Sequence, residues 1–194
     1  MRVALVGATG RIGSAVATAL AARHEVVGGS RSAGVRVDIG DAGSIKAFLK
    51  EVGPVDAVVC CAGRPRWGPM ADLTSDDYLD SLREKLLGQV SLTRQAISHL
   101  RDGGAVVLTA GLLSRYPMPG STAPATVNAA LEGFVRAAAL EMPRGIRIVV
   151  VSPGRVGNPG TESHPRTPPS EVALAYVEAV EGAMTGSAIS VGRM

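Results

Sequence analysis

Val3-Ala4-Leu5-Val6-Gly7-Ala8-Thr9-Gly10-Arg11-Ile12-Gly13 decides the fold of this chain. The apolar run over residues 2–6 stops at Gly7, as does a strand buried on both faces of a parallel sheet. Residues 11–22 then set Ile12, Val16, Ala19 and Leu20 on one helical stripe. A strand that turns through glycine into a helix opens a β-α-β unit. In such a unit Gly7 makes the tight turn, Gly10 lets the backbone approach a pyrophosphate, and Gly13 lets helix and strand pack closely. The helix start, around Thr9, Arg11 and Ile12, offers free N–H groups to phosphate oxygens. The stretch predicts a dinucleotide site.

The remaining pattern repeats the unit. Strands are predicted over 25–29, 35–37, 56–60, 105–109, 146–151 and 188–191. Helices are predicted over 44–52, 75–101, 126–141 and 170–182. Ser75-Asp76-Asp77 offers N-caps, and Gly53-Pro54, Asp102-Gly103-Gly104 and Pro143-Arg144-Gly145 act as breaks. This alternation implies one Rossmann-like α/β domain over residues 1–194, a doubly wound parallel sheet of about seven strands. Residues 155–169, rich in Pro, Gly, Ser and Thr, are expected to be a short, mobile substrate loop.

Composition narrows the function. With 46% hydrophobic residues but only one Trp, three Tyr and two Phe, the core must be built from Ala, Val, Leu and Ile. A net charge of +3 without a basic run argues against nucleic acid. No apolar run is long enough for a membrane span, and the first strand is too short for a signal peptide. A cytoplasmic protein is therefore expected. Cys60 and Cys61 are adjacent on a strand, where a mutual disulfide would be strained, so reduced thiols fit that setting. The spacing of His24, His99 and His164 suggests no metal site.

The end of the second strand bears on which nucleotide binds. An acid there would bond a ribose 2′-hydroxyl and repel a 2′-phosphate. The chain has Ser30-Arg31-Ser32 instead, a guanidinium between two hydroxyls, which favours NADP(H) over NAD(H). Arg11 offers a second positive charge. Asp38-Ile39, after the third strand, either meets the adenine amino group or caps the next helix. Cys61-Ala62-Gly63 follows the fourth strand, at the carboxyl edge where such sheets bind ligands.

These residues resemble the short-chain dehydrogenase/reductase superfamily over almost the whole chain. Gly7–Gly13 looks like the nucleotide loop of its extended and atypical members, and Cys60-Cys61-Ala62-Gly63 like the family's Asn-Asn-Ala-Gly segment. Arg147–Gly154 is similar to its sixth strand, whose Pro153-Gly154 turn would contact the nicotinamide side. Residues 185–191 are similar to the entry of its last strand, and Ala129-Ala130-Leu131-Glu132-Gly133-Phe134 fixes the register of its catalytic helix. In that register the family's Tyr falls on Pro124, its Lys on Asn128 and its Ser on Gly111, while its Asn falls near Lys85. All four catalytic positions are replaced, and Pro124 has no proton to give.

Four residues are candidates for the vacated chemistry. Lys85 either supplies the missing cation, binding ribose or donating a proton, or is a solvated lysine. Asn128 either bonds a ribose hydroxyl or satisfies a neighbouring loop. Thr109, expected on the same sheet face as Gly111, either bonds a substrate oxygen or is a plain strand residue. Tyr116 is the phenol near the expected site, and a donor must lie within hydrogen-bond reach. The resemblance implies hydride transfer to or from a small carbonyl or alcohol substrate. It also implies a homo-oligomer through the helices at 75–101 and 124–141. A silent NADP(H)-binding protein or sensor, and a non-redox isomerase or cyclase, are the competing readings.

Overall fold

Apolar strands that must be covered on both faces give a three-layer fold, as the computed structural model shows. It describes residues 1–157 and 166–192. Strands β1 (Arg2–Val6), β2 (Glu25–Ser30), β3 (Val35–Arg36), β4 (Val55–Cys60), β5 (Leu100–Thr109), β6 (Arg147–Pro153) and β7 (Ser187–Val191) form one sheet. Their order is β3-β2-β1-β4-β5-β6-β7, and all pairs are parallel. The strand order reverses between β1 and β4, so a crevice opens at their carboxyl ends.

Helices α1 (Arg11–Ala21) and α6 (Pro169–Glu181) cover one face. Leu5, Leu20, Val107 and Tyr176 pack between them and the sheet. Helices α2 (Ala42–Val52), α4 (Gly88–Ala96) and α5 (Thr122–Ala138) cover the other face, over Phe48, Leu92, Leu108, Leu131 and Ile148. Scarce aromatics are met by glycine. A Cβ on Gly29 would stand 2.4 Å from a Phe48 ring carbon, so the strand yields its side-chain space to the ring.

The helix predicted over 75–101 divides. α3 (Ser75–Ser81) starts at a capping box made by Thr74 and Asp77. A π-helical turn over Leu82–Leu87 follows, and α4 ends at Ala96. At its exit a Cβ on Gly88 would stand 2.7 Å from the Ile39 carbonyl, so the helix runs hard against the loop after β3. The glycines at 103 and 104 do not separate helix from strand. They lie inside β5, whose pairing with β4 shifts register between Val55 and Ala57. α5 begins at Thr122, before the predicted residue 126, because Pro124 falls in its first turn, where no intrahelical N–H is needed.

The segment predicted as a mobile loop is anchored at both ends. Val156 bridges Thr167, Gly157 N–H donates to the Thr167 carbonyl at 3.1 Å, and Thr167 N–H to the Arg155 carbonyl at 2.8 Å. His164 and the middle of that loop lie outside the described residues. Cys60 and Cys61 are unbridged. Among the described residues no cluster of His, Cys, Asp or Glu could hold a metal, and no helix is long and apolar enough to cross a membrane.

Candidate functional site

The turn after β1 is built as its glycines require. Gly7 has φ +85°, and a Cβ there would meet Ala62 N at 2.9 Å. Gly13 does not face the crevice. It lies beneath the turn, where a Cβ would stand 2.0 Å from the Gly7 carbonyl oxygen. Its N–H neighbours at the start of α1 face the crevice through Gly10, which bears no side-chain cap.

A recess of about 590 Å³ lies over this turn. Gly7, Thr9 and Gly10 line it at the phosphate end, and Arg31 and Ser32 at the end of β2. Asp38, Ile39, Cys61, Ala62 and Gly63 complete the predicted set. Asp38 is not the cap of α2. Asp41 takes that role by accepting from Gly43 N–H at 2.7 Å, and Asp38 accepts from Gly40 N–H at 2.9 Å.

Two expected phosphate ligands have partners within the chain, although Ser30 also lines the recess. The Ser30 hydroxyl is 5% exposed, donates to the Ala33 carbonyl at 2.7 Å and accepts from the N–H groups of Ser32 and Ala33. With its one proton committed, it shapes the turn that presents Arg31 and does not donate to a ligand. Arg11 donates to the Val156 carbonyl at 3.0 Å and does not line the recess beside Arg31. It ties α1 to the segment after β6.

Gly63, Arg64 and Glu84 are shared with a second cavity of about 920 Å³. Ile12, Pro153 and Gly154 line it, as do Lys85, Pro124 and Asn128, so the crevice is continuous from the end of β2 to the start of α5. This elongated recess, with a bare backbone turn at its middle and a guanidinium at one end, fits a nicotinamide dinucleotide.

Lys85 stands at the floor of the second cavity and is 7% exposed, so it is not a solvated lysine. The π-helical turn carries it inward. Gly63, at φ +119°, leaves room for its stem, since a Cβ there would stand 2.7 Å from Lys85 Cγ. The ammonium donates to the Ala110 carbonyl at 3.0 Å and to Asn128 Oδ1 at 2.8 Å. Two of its three protons are thus fixed, and the third is available to the cavity. Burial lowers its pKa to about 8, with the neighbouring Cys60 acting in the other direction.

Lys85 and Asn128, which the sequence register sets near the family's Asn and on its Lys, are bonded to each other. Gly111 adjoins the pair, since a Cβ there would stand 2.8 Å from Asn128 Nδ2. The asparagine amide fills the space in which a serine at position 111 would start.

The other two candidates lie elsewhere. Strand alternation puts Leu108 and Ala110 on the face toward α5, and Val107 with Thr109 on the face toward α6. The Thr109 hydroxyl donates to the Cys60 carbonyl at 2.5 Å and lies 2.6 Å from the Tyr176 hydroxyl, so it is a structural group behind the site. Gly111 lies beyond the end of β5, where alternation no longer governs. Tyr116 is 60% exposed, and the cavity takes Leu113 and Met118 from its loop instead.

Sequence reasoning missed three supports. Gln89, fully buried, donates to the Thr109 carbonyl and accepts its N–H, both at 2.9 Å, and so ends β5 next to Ala110. Glu132, 6% exposed, accepts from Ser152 at 2.7 Å and Ser114 at 3.0 Å, and pairs with Arg115 at 3.3 Å. The Ser114 backbone N–H also donates to the Gly111 carbonyl at 3.1 Å, so the network fixes the loop that holds Gly111. The cavity wall of Arg64, Trp67 and Arg155 was also missed. The only advance sign of the first two was a polar residue on an apolar helix stripe.

Known proteins share this architecture. A family model described as Enoyl-(Acyl carrier protein) reductase matches residues 1–188. A hydroxynaphthalene reductase of Aspergillus fumigatus is 28% identical over 181 residues, 80% of this chain and 66% of that one. A versicolorin reductase of Emericella nidulans is 28% identical over 182 residues, 80% of this chain and 69% of that one. The chain therefore spans about two thirds of these relatives' length. Among solved structures, the protein lin1944 from Listeria innocua is 37% identical with a TM-score of 0.94, covering 99% of this chain and 100% of that one. A small-chain dehydrogenase in complex with NADPH is 27% identical with a TM-score of 0.89, covering 98% and 96%.

Proposed function

This chain belongs to the short-chain dehydrogenase/reductase superfamily, and from that premise we propose that it is an NADP(H)-dependent oxidoreductase interconverting a small carbonyl compound and its alcohol at a rewired site. The observation that carries this reading is the Lys85 ammonium, held by Ala110 and Asn128 with one proton to spare on a cavity continuous with the nucleotide recess. The reductase names of the relatives and the NADPH complex of a structural neighbour support it.

Gly7, Thr9, Gly10 and Ile12 would hold the pyrophosphate, Arg31 and Ser32 the 2′-phosphate, and Asp38 with Ile39 the adenine. Gly63, Pro153 and Gly154 would flank the nicotinamide, which when bound supplies or accepts the hydride. Lys85 delivers the proton to the carbonyl oxygen, and Asn128 orients the amine while its amide nitrogen serves a ribose hydroxyl. Self-association through α3, α4 and α5 belongs to the same proposal, with Leu79 on α3 and Leu87 on the π-helical turn both exposed. The unbridged cysteines suit a reducing cytoplasm.

Calorimetry with NADPH and NADH tests the cofactor. Arg31→Ala is expected to reduce the preference for NADPH by about 10- to 100-fold, the worth of a charge-assisted phosphate contact. An unchanged preference would remove Arg31 from the phosphate site. A carbonyl screen followed by NADPH absorbance then tests turnover, and binding without any turnover would make the chain a silent nucleotide binder.

A proton donor with a pKa lowered to about 8 also sets the pH profile. Reduction needs protonated Lys85, so kcat/KM with NADPH bound is expected to be level below that value and to fall as pH rises through it. Alcohol oxidation needs the free amine and should rise over the same window. Parallel profiles for the two directions would assign the ionisation to another group.

A further inference from the structure

The second cavity has walls of two kinds. The loop after β4 and the segment after β6 contribute Arg64 and Arg155. Neither guanidinium has a hydrogen-bond or ion-pair partner among the described residues. Arg66, on the same wall, is already taken, 3.1 Å from Asp80 and 3.9 Å from Asp77. Glu84 is the one carboxylate among the described lining residues, so together with Lys85 the cavity holds an excess of positive charge. With Lys85 buried and Arg155 half-buried, this excess favours an anionic ligand.

Another part of the wall is apolar. Trp67, Met118 and Pro119 are shared with an adjoining groove of about 530 Å³ that continues over Pro69, Met70 and Gly120. Trp67 is 56% and Met70 70% exposed, unusual for side chains of their size. The indole is seated rather than loose: a Cβ on Gly120, at φ +82°, would stand 3.1 Å from its Nε1. Gly68 N–H donates to the Gly120 carbonyl at 3.1 Å and joins the two loops.

We propose that the substrate is an oxo acid with an apolar arm, or the matching hydroxy acid. Its carboxylate is bound by Arg155, with Arg64 at the border to the nucleotide recess, and its arm lies along Trp67, Met118 and Met70. The proposal rests on the reading of Lys85 as the group that meets the carbonyl oxygen. Arg155 distinguishes the substrate from the cofactor, because it lines only the second cavity whereas Arg64 lines both. The acid supplies the counter-charge that the described lining does not give this guanidinium, and the arm covers apolar surface that water otherwise faces.

Calorimetry tests this without turnover. The probes are 4-oxononanoate, its neutral primary amide and 4-oxopentanoate, titrated into wild type and Arg155→Ala with and without NADP⁺. The acid is expected to bind wild type at least about tenfold more tightly than the amide, as a charge-assisted contact requires. Arg155→Ala is expected to abolish that difference while leaving NADP⁺ affinity within about twofold. Removing four methylenes in 4-oxopentanoate is expected to weaken binding at least about tenfold. Equal binding of acid and amide overturns the proposal. So does an Arg155→Ala protein that loses NADP⁺ affinity and keeps its preference for the acid. Acid selectivity that depends on Arg155 in a protein that binds no NADP⁺ supports this inference and defeats the cofactor reading.

Discussion

Exchange of Lys85 for Met is expected to lower kcat/KM for carbonyl reduction by about 10³-fold, within the range that loss of a proton donor produces. Methionine keeps an unbranched stem against Gly63 and removes the ammonium. NADPH affinity should change by less than about threefold, because a group that acts in the transition state contributes little to the ground-state complex. Lys85→Arg separates charge from proton transfer. A guanidinium preserves the positive charge but does not deprotonate, so it should fail to restore the rate if Lys85 transfers a proton. Recovery to near wild-type rates in Lys85→Arg would make the residue an electrostatic anchor. A Lys85→Met enzyme with normal turnover would remove it from catalysis, and tenfold weaker NADPH binding with unchanged kcat would make it a ribose clamp.

The substitution bears on the half of the site that is only partly legible in the sequence. The nucleotide half is legible because backbone carries it: a strand, a tight turn and a close-packed helix each demand glycine at a set place, and Gly7, Gly10 and Gly13 stand at those places. Register alone singles out Lys85 and Asn128, and nothing in the sequence implies that they touch. Their 2.8 Å contact depends on a π-helical turn, whose added residue rotates the face that follows, so a constant helical period does not place Lys85. Alternation misplaces Thr109 once it is carried past the end of the strand, to Gly111. Arg11 and Ser30 carry suitable chemistry in the right segment. Their polar groups are taken by Val156 and by the 30–33 turn, partners that sequence does not show. Tyr116 has the right phenol, and its loop turns it outward.

Gly13→Ala and Gly10→Ala are expected to fail in different ways, although both alter the same motif. A methyl group on Gly13 would stand 2.0 Å from the Gly7 carbonyl oxygen and 2.8 Å from its carbon. Both neighbours are backbone, so no rotamer change relieves the clash, and α1 must move off the β1 turn. Overpacking of that severity costs about 3 kcal/mol or more, which lowers Tm by roughly 6–12 °C in a chain of this size. Nucleotide binding should disappear with the geometry of the turn. A methyl group on Gly10 meets only the Gly7 carbonyl, at 3.3 Å, and its backbone is extended at φ −73°. The fold should tolerate it, with Tm within about 3 °C of wild type. What it occupies is the space above the α1 N-terminus, where the pyrophosphate is proposed to approach, so NADPH affinity should fall at least about tenfold. Thermal melts paired with calorimetry read both quantities on each variant. A Gly10→Ala protein that binds NADPH as tightly as wild type would place the phosphates elsewhere in the crevice. A Gly13→Ala protein of normal Tm would show that α1 is free to shift, and the close packing of helix against turn would then lose its role in holding the nucleotide.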